Sequence, residues 1–430
     1  MRSVSTILHR WFGLTIAAFI IFSGLTGAII SWDHAIDEWL NSEFFDVKTQ
    51  GENKPILELV RLAEQRDPRI EVIYFELVPE AGKSAYLYAE PKIDPATNKR
   101  FVVDYDQIYL DPHTGEEMGK RKFGAPWPIT KTNFTSWMLK FHYTLHFPEF
   151  WGTDKWGIWL LGVIAVIWTV DCFVGFYLTL PPRKRTSIVR PAAVARELGK
   201  GFWTRWWPAW KIKTRGSAYR INFDIHRAFG LWTWSLLFIV AFTAFSLNLY
   251  REVFSPIMQT VSNYTPSVFE TRKPVGLDER ITPKFSFQEI IERANEEGKR
   301  RGWPEPVGAI SYQARYGIYQ PRFFFPGADD HGGGGVGPAR LHYDGVTGEV
   351  VGQRVPWSGS AADIFAQAQF PLHSGRILGL PGRILISAMG LVSAALAVTG
   401  VVIWWRKRRA RVLRSSQGAY ASALRSLPAE

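Results

Sequence analysis

The stretch His9-Arg10-Trp11-Phe12-Gly13-Leu14 returns about 220 residues later as His226-Arg227-Ala228-Phe229-Gly230-Leu231, identical at five of six positions. Each copy opens an apolar run. Residues 11–32 hold no charged side chain over 22 positions, and residues 228–250 hold none over 23. Two further runs behave the same way: residues 384–405 are uncharged over 22 positions, and residues 156–180 carry one charge, Asp171, in 25. About 20 apolar residues at 1.5 Å rise cross a hydrocarbon layer of about 30 Å. Four such runs predict a polytopic membrane protein.

The charge fits that reading. The formal net charge of +12 would suit a nucleic-acid binder, but its placement excludes one. Arg183, Lys184, Arg185, Arg190, Arg196, Lys200, Arg205, Lys211, Lys213, Arg215 and Arg220 crowd the connection between the second and third runs, and Arg406-Lys407-Arg408-Arg409-Ala410-Arg411 follows the fourth. Basic residues flanking spans stay in the cytoplasm. Both termini and the middle loop are therefore expected inside. The stretch after the first run carries Asp33, Asp37, Glu38, Glu43 and Asp46 against Lys48, as expected outside. The first run is too long for a signal-peptide core and lacks a clear cleavage site, so it reads as a retained anchor. The single cysteine, Cys172, excludes an internal disulfide, and without a Cys-x-x-Cys-His motif no covalent haem attachment is available.

Further matches follow the opening one in order. Asp111, Thr114-Gly115-Glu116 and Gly119 correspond to Asp344, Thr347-Gly348-Glu349 and Gly352, and Leu145-His146 corresponds to Leu372-His373. The expected fold is an α-helical membrane bundle of four transmembrane helices with two external α+β domains, internally duplicated. Its segments are helix 1 at 7–32, external domain 1 at 33–155, helix 2 at 156–180, a basic cytoplasmic loop at 181–225, helix 3 at 226–250, external domain 2 at 251–380, helix 4 at 381–405 and a basic tail at 406–430. In the first external domain, residues 56–65 have helical spacing and residues 70–77, 84–89 and 107–110 alternate like strands. In the second, residues 287–296 read as the helix and 308–313, 318–325 and 340–343 as strands. The Asp, Pro and Gly around 111–115 and 344–348 are turn formers.

These motifs resemble the PepSY-associated transmembrane proteins. They are His-Arg-x-Phe-Gly-Leu at a span entry, an external domain with Asp-x-x-Thr-Gly-Glu, and Leu-His before the next span. Within that family the chain is most similar to the ferric-siderophore reductases of the FoxB type. The resemblance runs from His9 to about Trp405. It implies PepSY-like periplasmic domains, the bacterial inner membrane, iron and electron-transfer chemistry, and a ferric siderophore as partner.

Nine histidines are present, and four stand at equivalent places in the two halves: His9 and His226 at the cytoplasmic entries, His146 and His373 at the external entries. Two copies of each ligand, aimed at a shared centre, are what bis-histidine ligation of a b-type haem needs. Two haem b are therefore expected, with iron held by His9 and His226 inside and by His146 and His373 outside. Zinc would want three or four ligands, and none clusters near His9 or His226. Gly13 and Gly230 leave a flat helix face for a ring. Arg10 and Arg227 could pair with propionates, although the positive-inside preference explains them as well. His142, four residues before His146, is the alternative outer ligand; its counterpart in the second half is Gln369. His34 is a lesser candidate. Asp171, an acid inside a span, has a functional or an interfacial reading.

The run Gly332–Gly337 imitates a dinucleotide fingerprint, but it lies outside the cell between predicted strands and not in a βαβ unit. Together with Asp329, Asp330 and His331 it reads as a hairpin tip or a substrate loop. No nucleotide-binding motif is present, so electrons are expected from quinol or a cytoplasmic reductase. The expected activity is transfer of electrons across the membrane to a periplasmic ferric siderophore, releasing ferrous iron. The alternatives are a non-enzymatic membrane partner-binding, transport or assembly protein, or a haem reductase for another metal or a quinone.

Overall fold

The computed structural model describes residues 1–182, 201–328 and 333–425. The basic residues between 183 and 200, and Asp329, Asp330, His331 and Gly332, lie outside the described residues. The chain divides into two compact units. One comprises residues 1–28, 149–248 and 385–430; the other comprises 29–148 and 249–384.

The first unit is helical. Its elements are Arg2–Ile30, Trp156–Thr179, the pair Ala218–Trp232 and Trp234–Asn248, and the long helix Gly379–Arg425. Among the described residues three helices are long and apolar enough to cross a membrane, or four if the bent pair forms one span. The run at 226–250, expected as one transmembrane helix, is broken at Thr233 with a bend of 70°. Thr233 Oγ1 donates to the Phe229 carbonyl, competing with the backbone for that acceptor. The flanking indoles are drawn to different partners: Trp232 donates to the Trp210 carbonyl at 3.1 Å and Trp234 to the Cys172 carbonyl at 2.9 Å. The last helix does not stop at 405 but continues through the basic residues as far as Arg425.

Small residues set how closely the helices approach. A Cβ on Gly24 would stand 2.5 Å from the Gly390 carbonyl oxygen, so the first and last helices touch backbone to backbone. Lipid tails are as apolar as leucine, so such close packing, not hydrophobic burial, holds membrane helices together. Ile16, Ile20 and Ile164 form one buried contact set, and Cys172, Leu237, Ala241 and Met389 another.

Among the described residues the second unit contains ten strands: β1 Ile70–Glu76, β2 Ala85–Pro91, β3 Ile93–Asp94, β4 Lys99–Arg100, β5 Gln107–Leu110, β6 Glu117–Arg121, β7 Val307–Gln313, β8 Ile318–Phe323, β9 Ala339–Asp344 and β10 Val350–Arg354. Two separate α+β domains were expected here; instead eight strands make one sheet in the order β10-β9-β8-β7-β1-β2-β5-β6. β1 and β7 pair antiparallel at the centre, with Tyr74 opposite Ser311 and Phe75 opposite Ile310. Left apart, each would be an unpaired edge, so joining them removes two edges at once. The helices Ile56–Arg66 and Phe287–Arg300 cover one face of this sheet. Leu59, Phe75, Leu87, Ile290, Ile310 and Leu341 are each 0% exposed in that core. Full burial of such side chains is worth about 1.5–3 kcal/mol each.

The matched Asp-x-x-Thr-Gly motifs fold alike. Asp111 Oδ1 accepts from the amides of His113 and Thr114, and Asp344 Oδ1 from those of Val346 and Thr347. Gly115 and Gly348 follow with φ of 78° and 73°, a region that favours glycine. Their carbonyls accept from Arg66 and Arg293 on the covering helices.

Candidate functional site

In the helical unit the rings of His9 and His226 face one another with centroids 6.1 Å apart and planes 54° apart. Each ring is held from behind by another helix. His9 Nδ1–H donates to the Asp171 carboxylate at 2.9 and 3.0 Å. His226 Nδ1–H donates to the Leu396 carbonyl at 3.0 Å and to Thr399 Oγ1 at 2.9 Å. A donor bond at Nδ1 fixes the tautomer and leaves Nε2 with the lone pair. Glycine makes room behind both rings: a Cβ on Gly175 would stand 3.3 Å from His9 Cε1, and one on Gly400 would stand 3.2 Å from His226 Cε1.

The cavity beside these rings is about 720 Å³, within the roughly 300–1,000 Å³ of cofactor and small-molecule sites. Ile16, Trp168, Phe176, Trp234 and Leu396 supply apolar walls, while Arg2, Arg10, Arg227 and Lys407 also line it. Gly13 and Gly230 line it as well, and a Cβ added to either would meet nothing within 4 Å. Both glycines lie one helical turn after their histidine, so they keep a flat surface open there. Arg227 is partly committed elsewhere. It donates to Asp224 Oδ1 at 2.8 Å and to the Pro208 carbonyl at 2.7 Å.

The sheet-bearing unit holds a second facing pair, and it is not the expected one. His142, on the helix Phe134–Thr144, faces His373, on the helix Gln369–Ser374, with centroids 6.3 Å apart and planes again 54° apart. His146, expected opposite His373, points elsewhere. Its helix ends at Thr144, and Leu145 and His146 follow with φ of 55° and 51°, reversing the chain. The His146 ring packs on Trp137 and Phe141, and its Nε2–H donates to the Trp137 carbonyl at 3.1 Å. Burial lowers its pKa below the ordinary histidine value, the Trp137 bond opposing and the Lys140 charge adding to that shift. His34 sits at the start of the helix Asp33–Leu40.

The spacing of both pairs has a chemical meaning. A metal–imidazole bond is about 2.0–2.1 Å and a ring nitrogen lies about 1.1 Å from its ring centre, so two imidazoles on opposite sides of one ion have centroids about 6.2–6.4 Å apart. The observed 6.1 and 6.3 Å fit that arrangement. Among the described residues no group of three or more His, Cys, Asp or Glu could hold a metal ion. A bare zinc ion would therefore lack ligands here, whereas an iron that arrives with four equatorial nitrogens needs only two. The His9–His226 pair, with the cavity beside it, fits a bis-histidine haem, and the His142–His373 pair matches it in spacing.

Asp171 has a clear place in this geometry, which its position inside a predicted span only hinted at. The glycines Gly175 and Gly400 were not expected at all. They stand 225 residues apart, and four positions before each lies the partner of a histidine, Asp171 or Leu396. That spacing is present in the sequence, since each glycine lies one helical turn after the residue that accepts the histidine's Nδ1–H bond.

A family model described as the PepSY-associated TM region matches residues 6–407. The match covers nearly the whole chain, and the protein belongs to that family: it is a multi-pass membrane protein with an attached α+β region. No curated protein matches it.

Proposed function

We propose that this protein is a di-haem b-type reductase of the bacterial inner membrane that delivers electrons to a ferric siderophore in the periplasm. The observation that carries the reading is the recurrence of one geometry, a facing histidine pair at 6.1 Å in the helical unit and at 6.3 Å in the sheet-bearing unit. His9 and His226 would hold one haem, His142 and His373 the other. A haem b held by two imidazoles supplies reversible one-electron chemistry. The protein's part is ligation, orientation and exclusion of water. The Nδ1 bonds of His9 and His226 aim Nε2, Gly13 and Gly230 give a flat ring room, and Arg10 stands among the basic residues that could meet propionates. Arg227 serves mainly to neutralise the buried Asp224.

In the overall reaction, quinol or a cytoplasmic reductase gives up electrons, and the ferric ion of the siderophore takes up one and becomes ferrous. Oxygen chelators favour the more highly charged ion, so reduction loosens the complex and iron is released. The similarity to siderophore reductases of the FoxB type supports this choice of acceptor. The positive-inside distribution of Arg and Lys supports cytoplasmic termini.

An absorption spectrum of the detergent-purified protein with a pyridine haemochrome count tests the reading. Two haem b per chain, reoxidised by ferric siderophore after dithionite reduction, is the expected result. A protein that stays colourless after reconstitution with haem would instead support a partner-binding or assembly role. A coloured protein that reduces copper or quinone but no siderophore would move the substrate, not the mechanism.

A further inference from the structure

The sheet has a second face, turned away from the helices Ile56–Arg66 and Phe287–Arg300, and it is not apolar. Strand register places Glu76, Ala309, Arg322, Arg340 and Arg354 in one row across β1, β7, β8, β9 and β10. The adjoining row holds Tyr74, Ser311 and Gln320, with His342 opposite Gly352 further along. Directly opposed residues share a face and stand about 4.5–5.5 Å apart at Cα. Three arginines therefore lie side by side on neighbouring strands, where like charges repel.

Nothing among the described residues neutralises them. None of the three makes an ion pair within 4 Å with a described residue, although other arginines of this protein do. The Arg322 guanidinium rests over the Tyr74 ring, 5.3 Å from its centroid. Arg354 approaches Tyr250 and Tyr264, but the nearby Glu270 is taken by Ser255, the Ser267 amide and Tyr264. Glu76 is separated from Arg322 by Ala309. Burial, reinforced by the charges of Arg322 and Arg354, pushes Arg340 down to about 9. Burial, then Arg340 and Arg354, pushes His342 down to about 4.

Unpartnered polar atoms gather in the same place. Nε of Arg322 and Nε of Arg340 are buried without a hydrogen-bond partner, and so is Oγ of Ser311, a residue only 3% exposed. A buried donor left unmade costs about 1–3 kcal/mol, more when charged. Among the described residues, the cations and unpartnered donors that share this face suit an anionic ligand.

We infer that the row Arg322, Arg340 and Arg354, with Ser311 beside it, is a binding site for a multiply charged carboxylate ligand. Planar guanidiniums spaced by one strand each match carboxylates, which they grip two bonds at a time. Where the reductase reading holds, and resting on it, the site docks an acceptor of the same chemistry: an iron chelate with a net negative charge and free carboxylates.

The test uses the full chain in neutral detergent and calorimetric titration with citrate, ferric citrate and a neutral ferric trihydroxamate. Saturable binding of citrate and ferric citrate, weakened at least tenfold in both Arg340→Gln and Arg354→Gln, is expected, with little binding of the trihydroxamate. In the absence of citrate, Arg340→Gln should melt at a higher temperature than the parent, because one of three opposed charges is gone; a purely structural arginine would give the reverse. Size-exclusion chromatography verifies that each variant is folded, and Arg322→Gln stands in if either is not. No saturable citrate binding, or equal binding in parent and variants, overturns the inference. The two readings fail separately: arginine-dependent citrate binding to a protein that ferric citrate cannot reoxidise retains the site and removes the reductase. Reoxidation by ferric citrate at a rate unaffected by the arginine variants does the opposite.

Discussion

The two histidine pairs are built differently although their spacing is nearly the same. In the helical unit, His9 and His226 come from matching sequence positions, and each is held by a matching neighbour, the Asp171 carboxylate for one and the Leu396 carbonyl with Thr399 for the other. In the sheet-bearing unit, His373 faces His142, while its sequence counterpart His146 is turned onto Trp137. The difference lies in where two short helices end. After His373 the helix runs on through Ser374 and closes at Gly375, with φ of 74°. In the other half the left-handed residue is Leu145, before the histidine. A left-handed cap ahead of His146 removes it from the helix face, and one turn earlier His142 takes the place. The position matching His142 is Gln369, 1% exposed and donating to the Phe365 carbonyl.

The sharpest way to break this comparison is to remove ligands one at a time. His9→Ala or His226→Ala should cost one haem of two, and His142→Ala or His373→Ala the other. His146→Ala should keep both. A haemochrome count reads all five, and loss of a haem in His146→Ala with retention in His142→Ala would reverse the outer assignment.

The sheet-bearing unit also depends on a buried ion pair. Arg121 and Asp37 have side chains only 6% and 13% exposed and bond to each other, with Gln107, Tyr109 and the Thr132 carbonyl completing the arginine. Removing one partner of a buried pair costs about 3–5 kcal/mol. Asp37→Ala should lower stability by that amount in thermal or urea unfolding followed by tyrosine and tryptophan fluorescence, without changing the His9–His226 site. Loss of both haems in this variant would show that the two units are energetically inseparable.

A smaller effect follows from His342, which is 6% exposed and whose pKa falls to about 4 in the folded chain. A depressed histidine pKa means that the unfolded chain binds the proton more readily. Stability from this group is full above about pH 6.5 and is lost as pH falls towards 4, by up to about 3 kcal/mol. His342→Phe should flatten the acid limb of a stability profile between those limits. An unchanged limb would assign the acid sensitivity to other groups.

The smallest effect sharpens the contrast within the helical unit. A carboxylate behind an imidazole makes it a stronger donor and favours ferric over ferrous iron. Asp171→Asn should keep its haem but raise that centre's midpoint potential by about 60 mV, the equivalent of a tenfold change for one electron. Thr399→Val, which leaves the Leu396 carbonyl in place, should shift it less. Equal shifts would mean that the carboxylate has no special part.

Much of this architecture was legible in the residues. Uncharged runs of more than twenty residues have no soluble alternative of low free energy, so the membrane helices followed from composition alone. The helices beginning at Ile56 and Phe287 and the strands β1, β2, β5, β7, β8 and β9 appeared through their periodicity, because one face of each meets a core. β6 and β10 did not, since Glu117–Arg121 and Val350–Arg354 carry polar residues on both sides. The likeness of the two halves pointed to His9, His226 and His373. Tertiary structure decided the rest. Whether β1 and β7 meet depends on distant edges that local sequence does not describe. The 70° bend at Thr233 depends on where two indoles find acceptors. Which of His142 and His146 turns towards His373 depends on a single left-handed residue at a helix end. The arginine row exists only because three strands are in register. Sequence periodicity reports which face of an element is buried; it does not report what that face meets, because the partner lies far away along the chain.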